Sequence, residues 1–142
     1  MEIRNRKANY EYFVLDKYEC GIELKGTEIK SLRNNSGDIK DSFGIIRNNE
    51  VYLLNMYIAK YDKGNQFNHD ERRTRKLLLH KQEIRKIRKS IEQEGLTLVP
   101  IAIYLKGNHA KVELGVCKGK KLYDKREAIK EKDLARELKV KL

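Results

Sequence analysis

The chain has 142 residues, with 32 Lys and Arg against 21 Asp and Glu, a formal net charge of +11. At this length, 39% hydrophobic residues fill one small core rather than two, and no apolar run approaches the ~20 residues of a membrane-crossing helix. So large a positive excess asks for a polyanionic partner, nucleic acid ahead of an anionic membrane surface.

Residues 1–9 are polar and basic and read as an arm, with no apolar signal region, so a cytoplasmic protein is expected. From Tyr10 to Leu24 the chain is rich in aromatic and branched residues. Tyr10, Tyr12 and Val14, then Cys20, Ile22 and Leu24, fall at alternate positions, which predicts strand. Gly26 breaks the pattern. Thr27 is expected to cap a short helix reaching Asn34, with Glu28 in its first turn and Ile29 and Leu32 on one face. Phe43–Arg47 and Val51–Leu54 flank Asn48-Asn49, residues that tolerate positive φ, so a hairpin is expected. Residues 59–71 are polar and mixed and read as a long loop.

Ile84, Ile87 and Ile91 recur at helical spacing, predicting a helix over Lys81–Glu94 that Gly95 ends. Leu96 to Leu105 is an apolar strand run in which Pro100 marks an edge or a bulge. Gly107-Asn108 turns the chain. Ala110, Val112, Leu114 and Val116 then alternate with polar or small residues, a half-buried strand. Residues 118–142 are mostly charged with few apolar positions, and are expected to be a tail that is disordered when free and ordered on a partner. The sum is a mainly β fold: a small, mostly antiparallel barrel of the OB type over residues 1–117, with flanking helices, and a basic tail over 118–142.

No cofactor motif is present. Cys20 and Cys117 lack metal-ligand spacing, and each sits in an apolar run, which predicts buried thiols. The three histidines lie on different elements. His69-Asp70 is the one His–acid pair close in sequence, which leaves a metal-dependent nuclease as the enzymatic alternative to a non-enzymatic binder. The basic clusters say more. From Arg72 to Lys89 there are nine Lys and Arg and one acid, Glu83. Without counterions such a run repels itself, which favours a phosphate-binding surface. Arg75 and Lys76 directly precede Leu77-Leu78-Leu79, so their charge is fixed at the end of a core strand. Tyr10, Tyr12, Phe13 and Tyr18 lie near basic residues, and the outward-facing set among them could stack on unpaired bases.

These residues also fall into a specific pattern. Asn5-Arg6-Lys7-Ala8 is followed by the block from Glu19 to Arg33, ECGIELKGTEIKSLR. Then come Asp41-Ser42-Phe43, Asn68-His69-Asp70, the block RTRKLLLHK from Arg73 to Lys81, Thr97-Leu98-Val99-Pro100, and KGKKLYDKR from Lys118 to Arg126. In this order they resemble the SmpB family of tmRNA-binding proteins across nearly the whole chain. Cys20, Glu71 and Cys117 replace that family's usual Ala, Pro and Ala, and its usual proline near Ala59-Lys60 is missing. The resemblance implies an OB-like barrel that binds the tRNA-like end of tmRNA (SsrA RNA) without cofactor or catalysis. It implies tmRNA contacts at Asn5, Tyr12, Glu19, Leu78 and Lys111, and the basic residues Lys30, Arg33, Arg75 and Lys76 are further candidates for the same RNA. It implies that the tail, through Lys118, Lys120, Lys121, Tyr123, Asp124, Lys125 and Arg126, meets small-subunit ribosomal RNA in the decoding centre and empty mRNA channel. Elongation factor Tu is implied as a partner on the same charged tmRNA. A generic OB-type tRNA or rRNA binder is the alternative of the same class.

Overall fold

The computed structural model describes residues 1–63 and 68–120. Nine strands and three helices follow one another there: β1 (Glu2–Arg4), α1 (Ala8–Glu11), β2 (Tyr12–Ile22), α2 (Gly26–Arg33), β3 (Gly37–Asp38), β4 (Phe43–Arg47), β5 (Glu50–Leu54), β6 (Tyr57–Ile58), β7 (Arg75–Leu78), α3 (Lys81–Glu94), β8 (Thr97–Lys106) and β9 (His109–Gly119). One seven-stranded sheet runs β1-β8-β4-β5-β7-β2-β9, and β9 pairs back onto β8. Six strands therefore close into a barrel, and β1 adds to the edge of β8 beyond β4. Every pairing is antiparallel, so the expected small antiparallel barrel with flanking helices is what folds.

Closure removes the open edges that would invite aggregation. The inward residues follow from alternation: Ala110, Val112, Leu114 and Val116 of β9 meet Leu98 and Ile103 of β8, Val51 and Leu53 of β5, Leu77 of β7 and Cys20 of β2 in one buried cluster. The continuous apolar run of β8 has a different cause. Leu98 and Ile103 face the barrel, whereas Val99 and Ile101 face outward into a second small cluster with Ala8 and Cys117. The strand is covered on both faces, so it cannot alternate. Its register slips between Pro100 and Ala102, the bulge that proline predicts.

The Asn48-Asn49 turn has φ of 52 and 62 at its two residues and joins β4 to β5 as a two-residue hairpin. Helix α3 matches its predicted span and ends on Gly95 at φ 65. A 14-residue helix is marginal alone. Burying Ile84 and Ile87 in the main cluster, worth roughly 1.5–3 kcal/mol each, holds it to the barrel.

Four expectations change. The N-terminal arm is not loose: β1 pairs with β8, and Asn5 is buried beside the Pro100 bulge. Tyr10 belongs to α1 rather than to the strand. Helix α2 starts at Gly26 with Lys25 as N-cap, and Glu28 at its third position accepts the Lys25 backbone N–H at 2.7 Å. Thr27 does not cap, because its hydroxyl turns to His69 instead. Finally, β9 runs two residues past Cys117, pairing Lys118 with Phe13 and Gly119 with Tyr12, so the barrel strand continues into the start of the expected tail. Residues 121–142 lie outside the described residues, as does the conformation expected of them. Among the described residues, no helix is long and apolar enough to cross a membrane.

Candidate nucleic-acid interface

One row of residues crosses four strands on the outer wall of the barrel. Leu78 of β7 pairs with Gly21 of β2, Gly21 with Lys111 of β9, and Lys111 with Tyr104 of β8. Partners directly opposite in an antiparallel sheet project from the same side. Here Leu77, Ile22, Val112 and Ile103 turn inward, so the row turns outward. Two residues further along their strands, on the same face, stand Glu19, Lys76 and Lys106. Gly21 is the low point of the row: a Cβ there would lie 3.3 Å from the Leu78 Cβ, so its absence lets Leu78 lean across the strand. Leu78 remains 46% exposed, which sets it apart from Leu77 beside it in the core. A hollow of about 610 Å3 opens over these residues, with Glu19, Gly21, Lys76, Leu78, His80 and Lys111 in its lining.

The electrostatics of the face are ordered around Glu19. The Tyr104 hydroxyl donates to Glu19 Oε2, and Lys106 Nζ lies 3.5 Å from Oε1. The Tyr104 hydrogen bond holds the Glu19 carboxyl below the usual carboxylate range against desolvation, with Lys106 and Lys111 helping. The same hydrogen bond pushes the Tyr104 hydroxyl up to about 12. Glu19 is therefore a fixed anion, able to accept from base amino groups or from a 2′-OH. Lys76 is tied to Glu50 at 3.3 Å, and that contact raises its pKa. Lys111 has no ion pair among the described residues, so its charge is available to a phosphate.

The structure thus brings Glu19, Lys76, Leu78 and Lys111 together, and it separates the others from them. Arg75 is fully buried. Strand alternation sends it inward with Leu77, where Nε donates to Glu28 Oε2 at 2.7 Å and Nη1 to the Met56 carbonyl at 2.6 Å. It is out of reach of RNA in this fold, contrary to the expectation drawn from the basic run. Asn5 is also buried: its amide donates to the carbonyls of Pro100 at 3.0 Å and Ile39 at 3.3 Å, bracing the bulge, while Oδ1 has no partner among the described residues. Tyr12 is half-buried against the second apolar cluster, at the other end of β2 from Glu19. Lys30 and Arg33 are exposed on α2, with Lys30 5.6 Å from the centre of the Tyr61 ring. Of the aromatics near the N-terminus, Tyr10 and Phe13 face out. Phe13 carries Lys120 5.0 Å above its ring, and Lys120 Nζ donates to the Asn9 carbonyl at 2.6 Å. Lys118 sits in β9, and the remaining tail candidates, Lys121, Tyr123, Asp124, Lys125 and Arg126, lie outside the described residues.

His69 offers nothing to a nuclease. It is buried, with Nδ1 2.8 Å from the Thr27 hydroxyl and Nε2 2.9 Å from the Ile58 carbonyl, so both ring nitrogens are committed. Asp70 accepts the Arg72 backbone N–H in a turn. Cys20 and Cys117 are buried free thiols, pushed up by burial to about 12 and about 11. Among the described residues no cluster of His, Cys, Asp and Glu could hold a metal. Sequence reasoning missed Tyr104 and Lys106, which lie 85 and 87 positions from Glu19. Only the register of β2, β9 and β8 brings them to it.

The chain is similar to known proteins over nearly its whole length. The family model described as SmpB protein matches residues 2–142. The SsrA-binding protein of Carboxydothermus hydrogenoformans is 54% identical over 134 residues, covering 94% of this chain and 90% of the relative. That of Borreliella burgdorferi is 50% identical, covering 98% and 95%. A chain from a solved structure described as "tmRNA-SmpB: a journey to the center of the bacterial ribosome" superposes with a TM-score of 0.73 at 52% identity, covering 88% of each chain.

Proposed function

The chain belongs to the SmpB protein family, and from that premise we propose that it is a non-enzymatic RNA-binding protein of trans-translation. It binds the tRNA-like domain of tmRNA through the outer barrel face around Glu19, Leu78 and Lys111 and delivers it to stalled ribosomes. The observation that carries the reading is the cross-strand row itself. An exposed leucine, a fixed carboxylate and a lysine without an ion pair among the described residues stand side by side over an open hollow. That mixture suits a folded RNA whose bases and backbone are both within reach. The leucine packs on a base or ribose, the carboxylate accepts from base or 2′-OH donors, and the lysine meets phosphate. The named relatives and the solved neighbour, whose descriptions mention SsrA, tmRNA and the ribosome, support the choice of partner. The tail, through Tyr123 and the cations around it, is assigned to the decoding centre and empty mRNA channel, and elongation factor Tu acts on the same charged tmRNA.

The test is binding to a tRNA-like tmRNA fragment beside elongator tRNA and duplex RNA of equal length, across a salt series. A preference for the fragment that survives physiological salt is expected. Lys111→Ala should weaken binding and reduce the slope of log K against log salt by about 1, as loss of one phosphate contact does. An unchanged slope would mean that this lysine touches no phosphate. Equal binding of wild type to all three RNAs, vanishing with salt, would reject the reading.

Tyr123→Ala should leave fragment binding within about twofold of wild type while peptide tagging on stalled ribosomes drops about tenfold or more, the loss of one stacked base. A parallel loss of both would reject the division of labour between barrel and tail.

A further inference from the structure

The basic run from Arg72 to Lys89 is only partly absorbed by the face described above. Arg73 and Arg75 turn to Glu28, and Lys76 to Glu50. Arg72 donates to Asn55 and lies over the Tyr57 ring. The remaining cations belong to α3, and their arrangement is regular. Lys81, Arg85 and Lys89 follow at intervals of four, with Arg88 beside them, along the border of the buried face that carries Ile84 and Ile87. Four residues advance a helix by about 6 Å, so the stripe sets its charges at even steps along one edge.

Apart from Arg88, these charges lack side-chain partners among the described residues. None of the ion pairs among the described residues involves α3, and the side chains of Lys81, Arg85, Lys86 and Lys89 make no hydrogen bond there. They are also held in place. The His80 backbone N–H donates to Glu83 Oε1 at 2.9 Å at one end, Gly95 closes the other, and the two isoleucines anchor the middle. Side by side with the stripe lies the β4–β5 turn, and the groove between them, about 460 Å3, is lined by Asn48, Asn49, Glu50, Lys81, Arg85 and Arg88, with Ile84 at its floor. The Asn49 side-chain oxygen accepts from Arg88 and fixes that guanidinium at the groove wall. Glu50 lines both this groove and the hollow over Glu19, Leu78 and Lys111, so the two surfaces adjoin.

We propose that the α3 stripe, Lys81, Arg85 and Lys89 with Arg88, is a second contact track for the same bound RNA, taking the phosphates of a helical segment adjacent to the one on the barrel face. The inference rests on the function proposed above and extends its footprint. Charge complementarity and continuity with the barrel face name the occupant. An acidic protein is the poorer fit, because the groove offers one apolar residue, Ile84, and that one is buried, leaving no exposed anchor of the kind protein interfaces use. Fixed cations facing a groove are instead what positions a sugar-phosphate backbone.

The test compares two triple variants of the full chain with equal loss of charge. Lys81→Gln with Arg85→Gln and Lys89→Gln removes the stripe. Lys17→Gln with Lys25→Gln and Lys40→Gln removes three exposed lysines that line neither hollow. Each is titrated with the tRNA-like tmRNA fragment across a salt series, with thermal melts to verify folding. The stripe variant should lower the slope of log K against log salt by about 2 to 3, and the control by less than about 1. Equal slopes for the two variants, or no change for either, would overturn the second track and reduce the stripe to diffuse charge. If wild type shows no preference for the fragment over elongator tRNA, the function reading fails instead. The same slope comparison on duplex RNA then still decides whether the stripe contacts phosphate.

Discussion

Replacing Arg75 with methionine should destabilise the protein by about 3–5 kcal/mol, the cost of breaking a buried ion pair by removing one partner. Glu28 is fully buried in α2 and is satisfied entirely by this region: Arg75 Nε at 2.7 Å, Arg73 Nε at 3.1 Å and Nη2 at 2.7 Å, and the Lys25 backbone N–H at 2.7 Å. Arg75 also donates to the carbonyls of Met56 and Glu71. One side chain therefore ties α2, the segment after β5 and the turn leading into β7. Burial alone would push the Glu28 carboxyl up, but the Arg73 hydrogen bond, the Lys25 N–H and the Arg75 charge together hold it below the usual carboxylate range. A carboxyl held low contributes stability at pH above its ordinary value, and that stability is lost as pH falls through the lowered value. The gap between wild type and Arg75→Met should therefore be full near neutrality and begin to narrow below about pH 4, closing further as pH falls through the lowered Glu28 value. Urea denaturation at pH 7 and at pH 3.5 measures it. A loss at pH 7 of under about 0.5 kcal/mol, ordinary for a surface substitution, would show that the cluster does not hold the fold.

The position of Arg75 also shows where the sequence was readable and where it was not. Hairpin turn, α3 and β9 all rest on local signals: two asparagines that accept positive φ, three isoleucines at helical spacing, four apolar residues at alternate positions. Tertiary context had only to agree with them. The basic run was legible as charge, but its direction was not. Parity held the clue, since Leu77 in the core puts Arg75 inside and Lys76 and Leu78 outside. What alternation could not supply was the partner, because Glu28 lies 47 positions away on a helix. Asn5 followed the same course. Its place in a recognisable block pointed to RNA, and only the pairing of β1 with β8 reveals that its amide braces the Pro100 bulge. Glu19, Leu78 and Lys111 were legible as candidates singly. That they form one patch depends on the register of β7, β2 and β9, which no local pattern states.

That same register makes Tyr104 a positioning residue, and it yields the second large effect. Tyr104→Phe should weaken binding of the tRNA-like tmRNA fragment about three- to tenfold, the range for losing one ordinary hydrogen bond. The ring stays, and the lost atom is a hydroxyl on a half-exposed side chain, so the fold should not change. The hydroxyl matters because Glu19, with Lys106 alone beside it, has other rotamers open to it. With Tyr104 donating to one oxygen, the carboxylate stands ready with its remaining lone pairs toward the hollow. A double-mutant cycle separates this from direct contact. In a Glu19→Gln background, which removes the anion that Tyr104 serves, Tyr104→Phe should cost less than about twofold. Equal losses in both backgrounds would mean that Tyr104 acts on its own. The pH profile gives an independent readout. Tyr104 is the largest cause holding the Glu19 carboxyl low, so without its hydroxyl that carboxyl moves back up toward the ordinary range. Binding that needs anionic Glu19 should then fall off on the acid side at a higher pH in Tyr104→Phe than in wild type. Coincident profiles would place the tyrosine outside the recognition of RNA, whatever it adds to the wall of the barrel.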